Sequence, residues 1–341
     1  MYGPSSGGPE RVQGPEEHRV PVQVDRSPIL VIAGPTGTGK TALALAVASE
    51  FQGEIVGCDA LQVYRRFDTA TAKPSREERS RAPYHLVDCV DPMVDYTLAD
   101  YVVDADRAVA GIHGRGRLPI VAGGTGMYLR GLLKGILPAP ARAPELRIRL
   151  NGMIARFGPV RMHRWLGSLD PASAARLPPA DVQRVVRGIE IALTGERPWS
   201  SALVREGTWD SGEERYPTLK IGLHMERTAL VRRIEARVDS FFEAGLIDEV
   251  RSLLASGVPE DANAFKAIGY REVLAMLGNR LPPDQVRDEV KKNTRRYSKR
   301  QRTWFRKEPG MHWLDMGRGV EEVASDVIRL VRDHGGLLPS G

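Results

Sequence analysis

The stretch Ile29–Leu45, ILVIAGPTGTGKTALAL, decides how the rest of the chain is read. Ile29, Leu30, Val31, Ile32 and Ala33 form a short apolar run, which breaks into a glycine-rich loop. Ala42–Phe51 then resumes as Ala- and Leu-rich sequence at helical spacing, so strand, loop and helix follow in that order. Gly34, Gly39, Lys40 and Thr41 satisfy G-x-x-x-x-G-K-[ST], with Pro35, Thr36, Gly37 and Thr38 between them. Such a loop turns successive backbone N–H groups inward around an oxyanion. It needs glycines where side chains would block the approach and a helix N-terminus behind them. Lys40 adds a point charge, and the Thr41 hydroxyl is placed to ligate Mg²⁺. The loop reads a diphosphate and leaves open which phosphate compound carries it.

Outward from this loop the chain alternates strand and helix signals. Glu54–Cys58 is a second apolar run ending in Asp59, and Tyr84–Val87 ends in Asp88. Leu118–Ala122 ends in Gly123-Gly124-Thr125, and Leu219–Leu223 and His312–Leu314 are further short strands. Helices fit at Leu98–His113, Thr228–Ala255 and Val320–His334. The pattern predicts an α/β fold, a phosphate-loop parallel sheet with helices on both faces whose ligands sit beyond the C-terminal strand ends. Asp59 and Thr125 then point into the crevice that holds the loop. Between about Pro138 and Tyr216 strand signals vanish, and Pro144–Phe157 and Asp181–Leu193 read as amphipathic helices, a small all-helical insertion. The expected organisation is an extension over 1–27, a first core part over 28–140, the insertion over 141–215 and a second core part over 216–335.

Composition narrows the class. With 341 residues, 42% hydrophobic, the chain can bury a sizeable core. Cys58 and Cys89 are too few for a disulfide framework and sit among apolar residues, so reduced core thiols are expected. No apolar run approaches bilayer length, and residues 1–27 have no apolar centre and carry Gly, Pro or Ser at 11 of 27 positions, which predicts disorder. A cytoplasmic protein with no membrane association, acting as a monomer, is the expectation.

The net charge of +6 is unevenly spread. Lys291–Lys307 holds nine Lys and Arg and no acid, leaving 40 basic against 43 acidic residues elsewhere. At helical spacing Arg295, Lys299, Arg302 and Arg306 share one face, while Tyr297, Gln301 and Trp304 lie along another. With no acid in the run to relieve the repulsion, the favoured partner is a polyanion, nucleic acid, bound with a steep salt dependence.

Asp59, at the tip of the strand after the loop's helix, can accept a proton from an incoming nucleophile. It can equally cap the next helix, and position alone does not choose between these. ATPases with this loop place an acid at the end of a later strand to hold Mg²⁺. This chain has Gly-Gly-Thr after Ala122, which speaks against ATP hydrolysis as the main activity. A small-molecule or nucleoside kinase and a non-catalytic RNA-binding protein remain the rival readings.

Seven blocks together resemble the tRNA dimethylallyltransferase family: GPTGTGKT (34–41), DALQVYRRFDTATAKP (59–74), VAGGTGMYLRGLL (121–133), DVQRVVRGIE (181–190), RIEARVD (233–239), AIGYRE (267–272) and TRRYSKRQRTWFR (294–306). The resemblance implies transfer of a dimethylallyl group from dimethylallyl diphosphate to N6 of the adenine just 3′ of the anticodon, in tRNAs reading codons that begin with U. It implies Mg²⁺ as cofactor, the tRNA anticodon stem-loop as partner, Asp59 as general base and Arg237 as a diphosphate-binding arginine. Thr125 and Arg147 match positions at the tRNA contact. So do Asp59–Gln62 (with Ala60 and Leu61), Gln183–Arg187 (Gln183, Arg184, Val185, Val186, Arg187), Lys266 with Gly269, Tyr270 and Arg271, and Arg295 and Lys299 on the basic helix. Two departures stand out. The family has Asp-Ser where this chain has Asp59-Ala60, and Met-Asp-Ile-Gly-Thr where it has Phe67-Asp68-Thr69-Ala70-Thr71.

Overall fold

A computed structural model of the chain describes residues 27–136, 140, 143–195, 199–200, 213–334 and 336–337. Except for Ser27, the expected disordered extension lies outside the described residues. Six strands, β1 (Ile29–Ala33), β2 (Glu54–Cys58), β3 (Tyr84–His85), β4 (Pro119–Gly123), β5 (Thr218–His224) and β6 (Met311–Asp315), pair in the order β3-β2-β4-β1-β5-β6, all parallel. The phosphate-loop strand therefore lies inside the sheet, flanked by β4 and β5.

Alternation along β1 shows how the two layers form. Leu30 and Ile32 pack with Leu43, Ala44 and Val47 of α1 (Lys40–Phe51) and with Val323 and Val327 of the last helix, α13 (Val320–Asp333). Ile29, Val31 and Ala33 face α3 (Leu98–Gly114) and α4 (Gly126–Lys134) through Tyr101, Val109, Leu129 and Leu132. Every residue of β1 is buried, as expected for a parallel strand covered on both sides. The short α2 (Arg76–Arg81) opens with a capping box, in which Ser75 accepts from the Glu78 amide and Glu78 from that of Ser75.

Four helices follow β4 and α4: α5 (Pro144–Phe157), α6 (Pro159–Leu169), α7 (Pro171–Arg176) and α8 (Val182–Thr194). They enclose a separate core of Leu150, Met162, Leu166, Val185, Val186 and Ile189. After β5 come α9 (Arg227–Glu243), α10 (Leu246–Ala255), α11 (Tyr270–Leu277) and the basic helix α12 (Val286–Phe305). Their third core centres on Phe67, Phe265 and Tyr270, with Phe67 meeting Phe265 edge to face at 5.0 Å.

Three sequence expectations change. The helix expected over Thr228–Ala255 is two helices, because Gly245 adopts φ +86° and turns the chain between them. The strand expected over Tyr84–Val87 stops at His85, since Leu86 and Asp88 are left-handed at φ +59° and +57°. Beyond it the amides of Asp88, Cys89 and Val90 donate to Gln62 and Val63 carbonyls, bracing the loop after β2. Cys58 is buried, but that diversion leaves Cys89 exposed rather than in the core.

Candidate active site

The phosphate loop leaves β1 at the C-terminal edge of the sheet. Gly37 and Gly39 take φ +85° and +98°, a left-handed region that a side chain rarely adopts. Gly39 opens α1 without a side-chain cap, so the first amides of that helix keep no intrahelical acceptor and face an incoming anion. Lys40 folds back to donate from Nζ to the Pro35 carbonyl at 2.9 Å. Enclosure of its ammonium, helped by the nearby Arg237 charge and opposed by Asp59, lowers its pKa to about 8.

Asp59 stands at the end of β2 within reach of both cations. Its Oδ1 accepts from the amides of Leu61 at 3.0 Å and Gln62 at 3.3 Å, closing a turn rather than capping a helix. Burial of the carboxyl raises its pKa above the ordinary value of 3.8, and the two amides, Lys40 and Arg237 offset this only in part. A carboxyl so held gains basicity. Thr125 fixes the segment on both sides of Asp59: its amide donates to the Cys58 carbonyl at 3.2 Å, and its Oγ1 accepts from the Ala60 amide at 3.1 Å. The Tyr297 phenol, from α12, lies beside Thr125, and its pKa is raised by burial and by Asp59.

Arg237 projects from α9 to donate from Nη1 to Thr36 Oγ1 at 3.2 Å. The Thr36 amide donates to Gln301 Oε1 at 2.8 Å, and Gln301 Nε2 donates to the Gly124 carbonyl at 2.9 Å. The face of α12 carrying Tyr297, Gln301 and Trp304 is thus turned into the crevice, while Arg296, Lys299, Arg300, Arg306 and Lys307 are exposed. The chemical content is an anion cradle, two enclosed cations, and a carboxylate of raised basicity on the opposite wall.

Two family models match the chain, "IPP transferase" over residues 62–308 and "Isopentenyl transferase" over 27–89. The tRNA dimethylallyltransferase of Thermomicrobium roseum is 45% identical over 91% of this chain and 93% of its own length, and that of Geobacter metallireducens 41% over 89% and 97%. The chain belongs to the tRNA dimethylallyltransferase family. The crystal structure of a tRNA isopentenylpyrophosphate transferase from Staphylococcus epidermidis covers 91% of this chain and all of its own, at 31% identity and a TM-score of 0.66.

Measured against the family pattern, the two departures have local consequences. Ala60 keeps the backbone bond to Thr125 but has no hydroxyl to offer, and its methyl packs beside the core under β2. Phe67 is fully buried and fills the third core, and Ala70 sits beside Gly269, where an added Cβ would come within 2.6 Å of the Ala70 methyl. Gly269 at φ +100° therefore has no room for a side chain.

The remaining family positions lie on surrounding walls. Gln62 donates from Nε2 to the Thr71 and Ala72 carbonyls at 3.0 and 3.1 Å, tying the Asp59 turn to the 67–72 segment. On α8, Gln183 and Arg184 are exposed, but Val185 and Val186 are core residues whose side chains do not reach solvent. Lys266 and Arg271 are exposed, whereas Gly269 and Tyr270 are buried, and the Tyr270 hydroxyl is bonded to Glu249. These four buried residues pack inside the segments that the resemblance assigns to tRNA contact and offer no side chains to solvent.

Arg147 sits on α5, away from the phosphate loop in sequence and bound to Glu190, a carboxylate the sequence reading passed over. Glu190 is fully buried and accepts from Arg147 Nη2 at 2.6 Å, Arg187 Nη1 at 2.8 Å and the Ala143 amide at 2.8 Å. Burial alone raises such a carboxyl, yet these bonds outweigh it and hold the pKa low. An acid inside an apolar helical stretch flanked by arginines was the available signal. The basic helix is also less isolated than its sequence suggests. Arg295 pairs with Glu235, and Lys291 and Arg287 reach Asp239 at 2.7 and 3.3 Å, acids brought in by α9.

Proposed function

We propose that the protein transfers the dimethylallyl group of dimethylallyl diphosphate to N6 of the adenine 3′-adjacent to the anticodon, in tRNAs reading codons that begin with U. The observation that carries this reading is Asp59: an enclosed carboxyl of raised basicity, coupled to Lys40 and Arg237 at the phosphate loop, in a chain of this family. The loop amides, Lys40 and Arg237 hold the diphosphate. As the allylic C–O bond breaks, its electron pair goes to that leaving group, whose growing charge these donors stabilise. The adenine N6 lone pair forms the new N–C bond, and one N6 proton passes to Asp59. That transfer matters because the exocyclic amine is delocalised into the ring and is a poor nucleophile while it keeps both protons.

Thr125 acts by position, holding Cys58 and Ala60 so that Asp59 faces the cradle. The donor set also fits Mg²⁺. Thr41, second residue of α1, supplies a hydroxyl, and among the described residues no cluster of three His, Cys, Asp or Glu exists to hold the ion without substrate. Thr41 would hold the ion together with substrate oxygens and water, and the ion would supply charge neutralisation for the leaving group. The exposed cations of α12, with Lys299 among them, meet the RNA backbone. Gln183 and Arg184, the Glu190-anchored Arg147 and Arg187, and Lys266 and Arg271 grip the anticodon stem-loop. The unit over 141–215 serves that grip. The adenine leaves its stack to reach Asp59, as in other base-modifying enzymes.

The test is incubation with dimethylallyl diphosphate, Mg²⁺ and unmodified tRNA, followed by nucleoside analysis. Prenylated adenosine next to the anticodon is the expected product. ATP turnover with the prenyl donor left intact would put a kinase in its place.

A further inference from the structure

Gln301 has no chemical part in the proposed prenyl transfer, although its polar side chain is buried at the crevice. It is 5% exposed, and both ends of its amide are engaged across the site. Oε1 accepts from the Thr36 amide in the phosphate loop at 2.8 Å, and Nε2 donates to the Gly124 carbonyl, beyond β4, at 2.9 Å. These two bonds span segments far apart in the chain. Thr36 is also the residue whose hydroxyl accepts from Arg237, so Gln301 and Arg237 hold the same loop residue from opposite sides. Gly124 leaves the space Gln301 needs, because a Cβ there would lie 2.3 Å from Nε2. The next residue, Thr125, fixes the backbone on either side of Asp59.

One helix supplies this whole line of contacts. Tyr297, Gln301 and Trp304 are spaced at i, i+4 and i+7 on α12 and meet Thr125, Gly124 and Gly126 in turn. The outer face of the same helix carries the exposed cations.

We propose that Gln301 is a positioning residue for prenyl transfer, which sets the spacing between the diphosphate cradle and the Thr125–Asp59 wall and joins both to the basic helix. It touches neither the leaving group nor the base. It holds Thr36 and Gly124 at a fixed separation, so that the allylic carbon and the attacking N6 meet at reacting distance. Displacing reacting groups by about an ångström costs on the order of 100-fold in rate. This inference rests on the proposed reaction for its kinetic arm and is independent of it for its binding arm.

Gln301→Met keeps the length and volume of the side chain and removes both hydrogen bonds. With the wild type as control, the variant is expected to keep its Tm within a few degrees and its KM for tRNA within about threefold, while kcat falls about 10- to 100-fold. Gly124→Ala, which displaces Nε2 from the other side, is expected to give the same split. Calorimetric titration with inorganic pyrophosphate and Mg²⁺ reads the phosphate-loop side without turnover, and Gln301→Met is expected to bind about five- to tenfold more weakly than the wild type. A folded Gln301→Met protein with wild-type kcat and wild-type pyrophosphate affinity would overturn the proposal. So would loss of tRNA affinity equal to the loss of kcat, which would make Gln301 part of the RNA surface. A wild-type protein that transfers no prenyl group would count against the reaction, and the pyrophosphate comparison would still decide the role of Gln301.

Discussion

Strand β2 carries a carboxylate at each end, Glu54 at its start and Asp59 just past its close, and the protein treats them in opposite ways. Glu54 is 2% exposed and receives Arg115 through two bonds of 2.9 and 2.8 Å, Arg117 at 3.2 Å and His85 at 2.6 Å. The hydrogen bonds from Arg115 lead the causes that lower its pKa from 4.5 to about 2. Asp59 is half-buried, and among the described residues its hydrogen bonds come from two backbone amides alone; Lys40 and Arg237 act on it from across the crevice, and its pKa is raised. Where the protein supplies full compensation, the charge belongs to the structure. Where compensation is left incomplete, the group keeps the basicity that a reaction can use.

The contrast can be broken most sharply at Asp59. Asp59→Asn is expected to lower the single-turnover rate roughly 10²- to 10⁴-fold. Thermal melting at neutral pH should show no loss of stability and a small gain. A pKa raised on folding means that ionisation costs stability, a cost that builds as pH rises above the ordinary 3.8 and is complete above the folded-state value, and Asn removes it while its Oδ1 still accepts from Leu61 and Gln62. Next in size is Arg237→Ala, expected to weaken diphosphate binding about 10- to 100-fold by calorimetry while tRNA affinity changes little. The reverse order would take Arg237 out of the cradle.

At the other end of the strand, Glu54→Gln is expected to cost about 2 kcal/mol in denaturant unfolding, with the rate unchanged. Because folding lowers the Glu54 pKa, its contribution is complete above about pH 4.5 and is lost as pH falls toward about 2. The smallest effect concerns Lys40, with its pKa of about 8. Its cationic form is what the diphosphate needs, so pyrophosphate affinity should decline about fivefold between pH 7 and 9, and Lys40→Arg should remove most of that decline.

Much of this was legible in the sequence for a physical reason: it lies in contiguous residues. The phosphate loop needs a fixed local order of strand, glycines, lysine and helix, and β1 is apolar throughout because both faces are covered. The alternation of strand and helix signals carried the α/β architecture and the seven quoted blocks carried the family, and the structure and the comparisons bear both out. Gln301 and Glu190 were not legible as site-forming residues. Each acts across long sequence separations, Gln301 on Thr36 and Gly124, Glu190 on Arg147 and Ala143, and although the apolar setting of Glu190 marks it as unusual, no local pattern names these distant partners. The break at Gly245 was hidden because helical periodicity continues on both sides of one left-handed residue. The acids facing the basic helix were hidden likewise, since Glu235 and Asp239 come from α9, about fifty to sixty residues earlier.

The central claim is that Asp59, incompletely compensated, takes the proton as the new bond forms. Its most direct test is the pH dependence of single-turnover transfer at saturating donor and tRNA, for the wild type and Asp59→Asn. The wild-type rate should climb with pH through an acid limb placed above the ordinary range of an aspartate, and the Asn variant should be slow and flat over the same range. An identical acid limb in both proteins would contradict the claim.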